Sequence, residues 1–231
     1  MRAFFYPMLL LIFTFCLALP CLAADGGVPL DDIKKAATEG LNDLLKGRQF
    51  DKHFQDLGFE SQSDIDDAEL GEGFQIFTIH PDQLLDETAP HDLQSLVVPI
   101  GEWQFIIFAK GKAKSILTIR FFNGKWTIVG IGPSGLAIEI AKFMAVWPSS
   151  SDYQFRFIKV YQAQSSFIEL FKKGKAVGIV PLTSLSTLMT GKVPEEFNPS
   201  DIRDSKEALS LLRPLVKQNI ELYKKQKSLS K

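Results

Sequence analysis

The sequence predicts an α+β fold: a mixed, mainly antiparallel sheet with an N-terminal helical hairpin, one β-α-β crossover and a C-terminal helix. Three observations carry that prediction. Apolar residues recur at helical spacing near both ends of the chain, and the middle is rich in aromatic and β-branched residues with stretches of period two. Between two such stretches, Asn123-Gly124 supplies a two-residue hairpin turn.

The elements follow in order. Asp31 or Asp32 caps a helix whose stripe is Ile33, Ala36, Ala37, Leu41, Leu44 and Leu45, and Gly47 stops it. Phe50, Phe54 and Leu57 repeat the spacing as far as Gly58, which completes a helical hairpin over 31–58. An acidic loop from Glu60 to Gly73 precedes a strand from Phe74 to Ile79. A polar stretch with Pro81 and Pro90 leads to a strand near Leu96, and from Glu102 the pattern is strongly β. Trp103 to Ala109 turns at Lys110-Gly111-Lys112. In the strand beyond, Lys112, Lys114, Thr118 and Arg120 face one side and Ala113, Leu117, Ile119 and Phe121 the other, the mark of a half-buried strand.

After Asn123-Gly124 comes the strand Lys125–Ile131. A helix follows, with Leu136, Ile140, Phe143 and Trp147 on one face and Pro148 at its end. Tyr153 to Tyr161 is a strand, so 125–161 reads as a right-handed β-α-β unit. Ser165 to Lys173 reads as a short helix, capped by Ser165 and stopped by Gly174, and Ala176 to Leu182 closes a sheet core spanning 74–182. The last element is a helix over 205–226 with Leu209, Leu212, Val216, Ile220 and Tyr223 inward. Pro214 should kink it, and its lysine-rich end suits the helix dipole. Phe108-Ala109-Lys110-Gly111-Lys112-Ala113 echoes Phe171-Lys172-Lys173-Gly174-Lys175-Ala176, an echo short enough to arise by chance.

The N-terminus reads as a secretory signal over residues 1–23. Arg2 supplies the positive end and Met8 to Leu19 an apolar core of twelve residues. Pro20, then Cys21 and Ala23, lead to cleavage between Ala23 and Ala24. A retained anchor is the alternative, although twelve residues fall short of the roughly 20 that a bilayer span needs. Acylation at Cys21 is disfavoured by Ala18-Leu19-Pro20. Both cysteines, Cys16 and Cys21, lie in the signal, so the mature chain (24–231) is expected to be one thiol-free globular domain, periplasmic or secreted, without disulfides or thiolate chemistry.

A net charge of −1 conceals segregation: eighteen acids against five bases from Asp25 to Glu102, and nine against twenty from Trp103 onward. Either the two halves neutralise each other on folding, the preferred reading, or a basic face meets an anionic partner. Lys110, Lys112, Lys114, Arg120 and Lys125, with Trp103 and Phe122, form the candidate anionic-partner surface.

The sharpest motif is Gly130-Ile131-Gly132-Pro133-Ser134-Gly135, a G-x-G-x-x-G between a strand and a helix. It resembles the phosphate-binding turn of flavin and nicotinamide oxidoreductases, which would make Gly130, Gly132 and Gly135 cofactor-binding. The context opposes it: no carboxylate ends the next strand, where Lys159, Val160, Tyr161 and Gln162 stand, and too little chain follows. A tight turn with close helix–sheet packing is preferred, and no cofactor is expected. Ser134 is a poor nucleophile-elbow candidate, because Leu136 breaks the pattern and His53, His80 and His91 all precede it. Asp64-Ile65-Asp66-Asp67-Ala68-Glu69 lacks the glycine of a calcium loop, so no metal is expected either.

Over about 100–190 the order is strand, hairpin, strand, helix, strand, short helix, then the strand Val177–Leu182 with its Pro181-Leu182 step. That order resembles the C-terminal half of the periplasmic and chloroplast-intermembrane-space chaperone family of the protein-import translocon. The first reading is a non-enzymatic extracytoplasmic binding or assembly protein that uses its apolar and basic sheet surface, with a protein partner or an anionic surface and no nucleic acid expected. On this reading the membrane is met only in transit, through the signal. An extracytoplasmic enzyme with a scattered site is the alternative, for which a pocket lined by His80 or His91 with carboxylates would speak.

Overall fold

The computed structural model describes residues 30–46, 54–86, 88 and 92–229. The signal and its cleavage point, Phe50, His53 and His91 lie outside the described residues. Those described form an α+β fold in which a seven-stranded mixed sheet is flanked by helices on both faces.

Helix α1 (Leu30–Lys46) begins where the acids Asp31 and Asp32 stand in its first turn. Of the expected second arm, the described part is a 3-10 turn, Phe54–Leu57, followed by Gly58. The acidic loop contains a short helix α2 (Gln62–Asp66), capped by the Ser61 hydroxyl, which accepts the Asp64 N–H. Strand β1 (Glu69–Ile79) starts earlier than the hydrophobic run suggested. After α3 (Pro81–Leu85) the expected strand near Leu96 is the short helix α4 (Leu93–Leu96), running directly into β2 (Val97–Ala109).

Strands β3 (Lys112–Phe122) and β4 (Lys125–Gly132) complete an antiparallel meander, and α5 (Ser134–Val146) follows. Strands β5 (Tyr153–Val160), β6 (Ser165–Lys172) and β7 (Lys175–Pro181) form a second meander. Helices α6 (Thr183–Thr190) and α7 (Ser205–Leu229) end the chain, α7 running through Pro214 as one helix. The strand order is β4-β3-β2-β1-β5-β6-β7, and the two meanders join through β1 and β5, which are parallel. The β4-α5-β5 crossover is therefore wide. It passes three strands and lands β5 beside β1, antiparallel to β4.

The segment expected as a helix at Ser165–Lys173 is strand β6, because it is central and covered on both faces. Phe167 packs towards one side, Ile168 and Leu170 towards the other, so the apolar run has no polar face to betray its period. The half-buried expectation for β3 fails for the same reason. Ile116 packs under α5, whereas Leu117 and Ile119 pack under α1.

On the front face, Ala137, Ile140 and Phe143 of α5, with Trp147 at its C-terminal cap, share one core with Phe74, Ile76, Ile106, Ile116, Phe157, Ile168 and Val180. Phe143 lies 5.0 Å from Trp147 and meets Phe155 edge-on at 5.4 Å. On the back face, Ile33, Ala37 and Leu41 of α1 cover the first meander. Leu209, Leu212 and Val216 of α7, with Leu84, Leu93, Leu96 and Leu185, cover the second.

The sequence echo marks a structural repeat. Lys110-Gly111 and Lys173-Gly174 are both two-residue turns with positive φ at each position, the form that matches strand twist. Each hairpin then slips register at the same place. Phe108 pairs with Ala113 and Ile107 with Ser115; Phe171 pairs with Ala176 and Leu170 with Gly178. The two copies point oppositely: Ile107 faces back and Leu170 front.

Candidate binding surface

Cover on the front face ends part-way along the strands. Along β3, buried Ile116 gives way to half-buried Thr118, then to Arg120 (side chain 53% exposed) and Phe122 (59%). Along β5, buried Phe157 gives way to half-buried Lys159 and then, just past the strand, to Tyr161, 52% exposed. Register puts these groups side by side: Arg120 pairs with Glu102, Thr118 with Gln104, and Thr78 with Lys159. The result is a corner whose polar floor of Glu102, Gln104 and Thr78 is buried, and whose rim, Arg120, Phe122 and Tyr161, is exposed.

The floor is bonded within itself. Arg120 Nη2 donates to Glu102 Oε1, Gln104 Nε2 donates to Thr118 Oγ1 at 3.0 Å, and Thr78 Oγ1 donates to the Lys159 carbonyl at 2.7 Å. Gln104 Oε1 is buried without a hydrogen-bond partner in the structure. Burial lowers the Lys159 pKa against the pull of Glu102, and burial together with Glu102 raises that of Tyr161 while Arg120 opposes. Strands hold every floor group, so the corner is rigid. Arg120 and Glu102 are paired, whereas Lys159 lies over the Phe157 ring at 5.5 Å.

The five cations proposed from sequence do not form one surface. Lys114, at the register slip of β3, is buried (side chain 7% exposed) and bridges Glu60 at 2.8 Å and Asp64 at 3.1 Å. Lys110 reaches Asp64 at 2.9 Å, and Arg120 belongs to the corner. Lys112 and Lys125 are exposed. Lys110, the Glu60 N–H and Lys114 hold the Asp64 carboxyl far below the usual carboxylate range. Glu60 is also lowered, by Lys114, and Lys114 is raised by its bond to Glu60. Each of these bridges joins the acidic half of the chain to the basic half, so part of the segregated charge is neutralised on folding. Trp103 packs on the back face with α1, away from Phe122.

Gly130 stands on β4, Gly132 (φ +141) precedes Pro133, and Gly135 opens α5. A β-carbon at any of the three would meet nothing within 4 Å, so close helix–sheet packing is not what these glycines serve. Strand β4 is an edge strand paired only with antiparallel β3. The turn therefore does not lie at the carboxyl ends of parallel strands, where dinucleotides bind. Among the described residues, no three His, Cys, Asp or Glu side chains are grouped to hold a metal. His80 is exposed ahead of α3.

Sequence reasoning missed Glu102, Gln104, Lys159 and Tyr161 as members of one site. The alternation Glu102, Gln104, Ile106 along β2 was a usable signal, since it places two polar groups in line with a core isoleucine.

A second polar cluster lies on the back face. Glu169 is buried 3.6 Å from Arg156, whose guanidinium sits over the rings of Phe171 (4.9 Å) and Phe77 (5.4 Å). Burial pushes the Glu169 carboxyl up to about 7, Arg156 pulls it down, and Asp92 pushes it further up.

Fold and corner together define an α+β protein with three layers and one partly open sheet face. The chain matches no family model, no curated protein and no solved structure. No helix among the described residues is long and apolar enough to cross a membrane.

Proposed function

We propose that this chain is a non-enzymatic binding or assembly protein of chaperone type, exported by residues 1–23, that holds a protein partner on the open corner of its sheet. The observation that carries this reading is the end of α5 cover between Ile116 and Phe122, which leaves Arg120, Phe122 and Tyr161 exposed beside a buried polar floor held by strands. A polar floor with an aromatic rim has the composition of a protein-recognition surface.

The test is suppression of aggregation of an unfolded client by the purified chain. Phe122→Ser combined with Tyr161→Ser should weaken suppression at unchanged melting temperature. Full suppression by that variant would remove the corner from the reading. Export is tested separately by the N-terminal sequence of the secreted chain, which should begin at Ala24; a chain still starting at Met1 would mean a retained anchor.

A further inference from the structure

We infer that the free edge of β4, with the groove between it and α1, binds an extended peptide segment that carries a basic side chain. The two edges of the sheet are finished differently. The β7 edge is covered by the bridge from Ile179 to Arg203, whereas among the described residues β4 pairs with β3 alone. The register slip where Val129 stands 51% exposed limits the straight edge to residues 125–128. A groove of about 400 Å³ runs along those four, with Ala36, Gly40, Asp43 and Leu44 of α1 as its far wall. Lys125 and Thr127 point to one face of the strand, Trp126 and Ile128 to the other. A groove lined by all four therefore opens on the edge itself. In an antiparallel pair alternate residues turn their N–H and C=O away from the partner, and an added strand pairs with them there.

The walls specify the occupant. At Gly40 the helix touches the strand, since a β-carbon there would lie 2.6 Å from Ile128 Cδ1, so the groove closes on apolar atoms at that point. Asp43 is the acid of the lining. On a helix turning about 100° per residue, Glu39, Asp32 and Asp43 fall consecutively, next to Ala36, and all three are exposed. Against them stands Lys125, at the first residue of the strand. An acidic rim beside an apolar groove suits a segment with apolar side chains and a lysine or arginine. A second copy pairing by the same edge would set the acids of one α1 against those of the other, which opposes self-pairing. The site does not rest on the corner reading.

The full chain is titrated against a labelled seven-residue peptide that alternates threonine with valine and has lysine in place of the central valine. Fluorescence anisotropy should show saturable binding that weakens about tenfold when the lysine is glutamate and is lost when the two central threonines are proline. Asp43→Lys, at an exposed position, should turn the preference to the glutamate peptide, and Phe122→Ser with Tyr161→Ser should leave binding unchanged. No binding, equal binding of the lysine and glutamate peptides, an unchanged preference in Asp43→Lys, or full binding of the proline peptide overturns the inference. Loss of binding in the Phe122→Ser, Tyr161→Ser variant also overturns it, by moving the peptide to the corner. A dimer abolished by Val129→Lys, without peptide binding, would give the edge to a second copy instead.

Discussion

Lys114 Nζ lies 3.1 Å from Asp64 Oδ2, and the two side chains, one from each charge-segregated half of the chain, are both buried. Asp64 also accepts the Glu60 N–H at 3.0 Å and bridges Lys110, so it ties the segment 60–66 to the turn between β2 and β3. Its pKa is lowered in the folded state, so the stabilisation is complete above the unfolded carboxylate value of about 3.9 and fades as pH falls below it. Asp64→Asn should lower the melting temperature at pH 7 and flatten its fall between pH 5 and pH 2. Lys112→Ala, at an exposed neighbour, should change stability by less than about 0.5 kcal/mol. Parallel acid limbs for wild type and Asp64→Asn would refute the assignment.

Glu169 gives the opposite slope. Its carboxyl titrates near 7 when folded and near 4.5 when free, so the folded state holds the extra proton between those values. Stability from this group is full below pH 4.5 and is lost as pH rises through 7. Glu169→Gln keeps the volume and removes the titration. Thermal melts from pH 5 to pH 8 should show wild type losing stability over that range and the variant holding it; an identical decline in both would place the transition elsewhere.

The two meanders differ in how readable they were. Helices α1, α5 and α7 announced themselves because each buries one stripe: Ile33, Ala37 and Leu41, or Ile140 and Phe143, or Leu209, Leu212 and Val216. Strand β6 did not, since Phe167, Ile168, Leu170 and Phe171 satisfy helical spacing as well as a strand apolar on both faces. The corner was invisible for another reason. Arg120, Glu102 and Lys159 come from three strands, and Lys159 reaches the others only through the parallel pairing of β1 with β5, which no local turn specifies. Lys114 was misplaced by one residue of register: the slip between Ile107 and Phe108 breaks the alternation that put it with Arg120.

Phe143 is the aromatic hub of the front core, fully buried and in ring contact with Trp147, Phe155 and Phe197. Its removal leaves a cavity walled by rigid rings that cannot collapse into it. Phe143→Ala should cost about 3–5 kcal/mol in urea denaturation. A loss below about 1 kcal/mol would mean that α5 does not pack as described.

Gly178 carries the far edge of the sheet. At φ +150 it has a conformation that L side chains rarely adopt, and a β-carbon there would lie 2.6 Å from the Arg203 carbonyl and 2.7 Å from Ile202 Cγ2. That close approach lets the Ile179 N–H donate to the Arg203 carbonyl at 3.0 Å and the Arg203 N–H donate to the Ile179 carbonyl at 2.8 Å, covering the β7 edge. Gly178→Ala should therefore cost more than about 1 kcal/mol and push residues 202–203 off the strand. An uncovered edge is a template for pairing with other chains, so the variant should also scatter light on mild heating before wild type does. Val177→Ala, one residue away and exposed, supplies the control and should do neither. Matching denaturation midpoints and scattering onsets for Gly178→Ala and wild type would show that the edge is covered some other way.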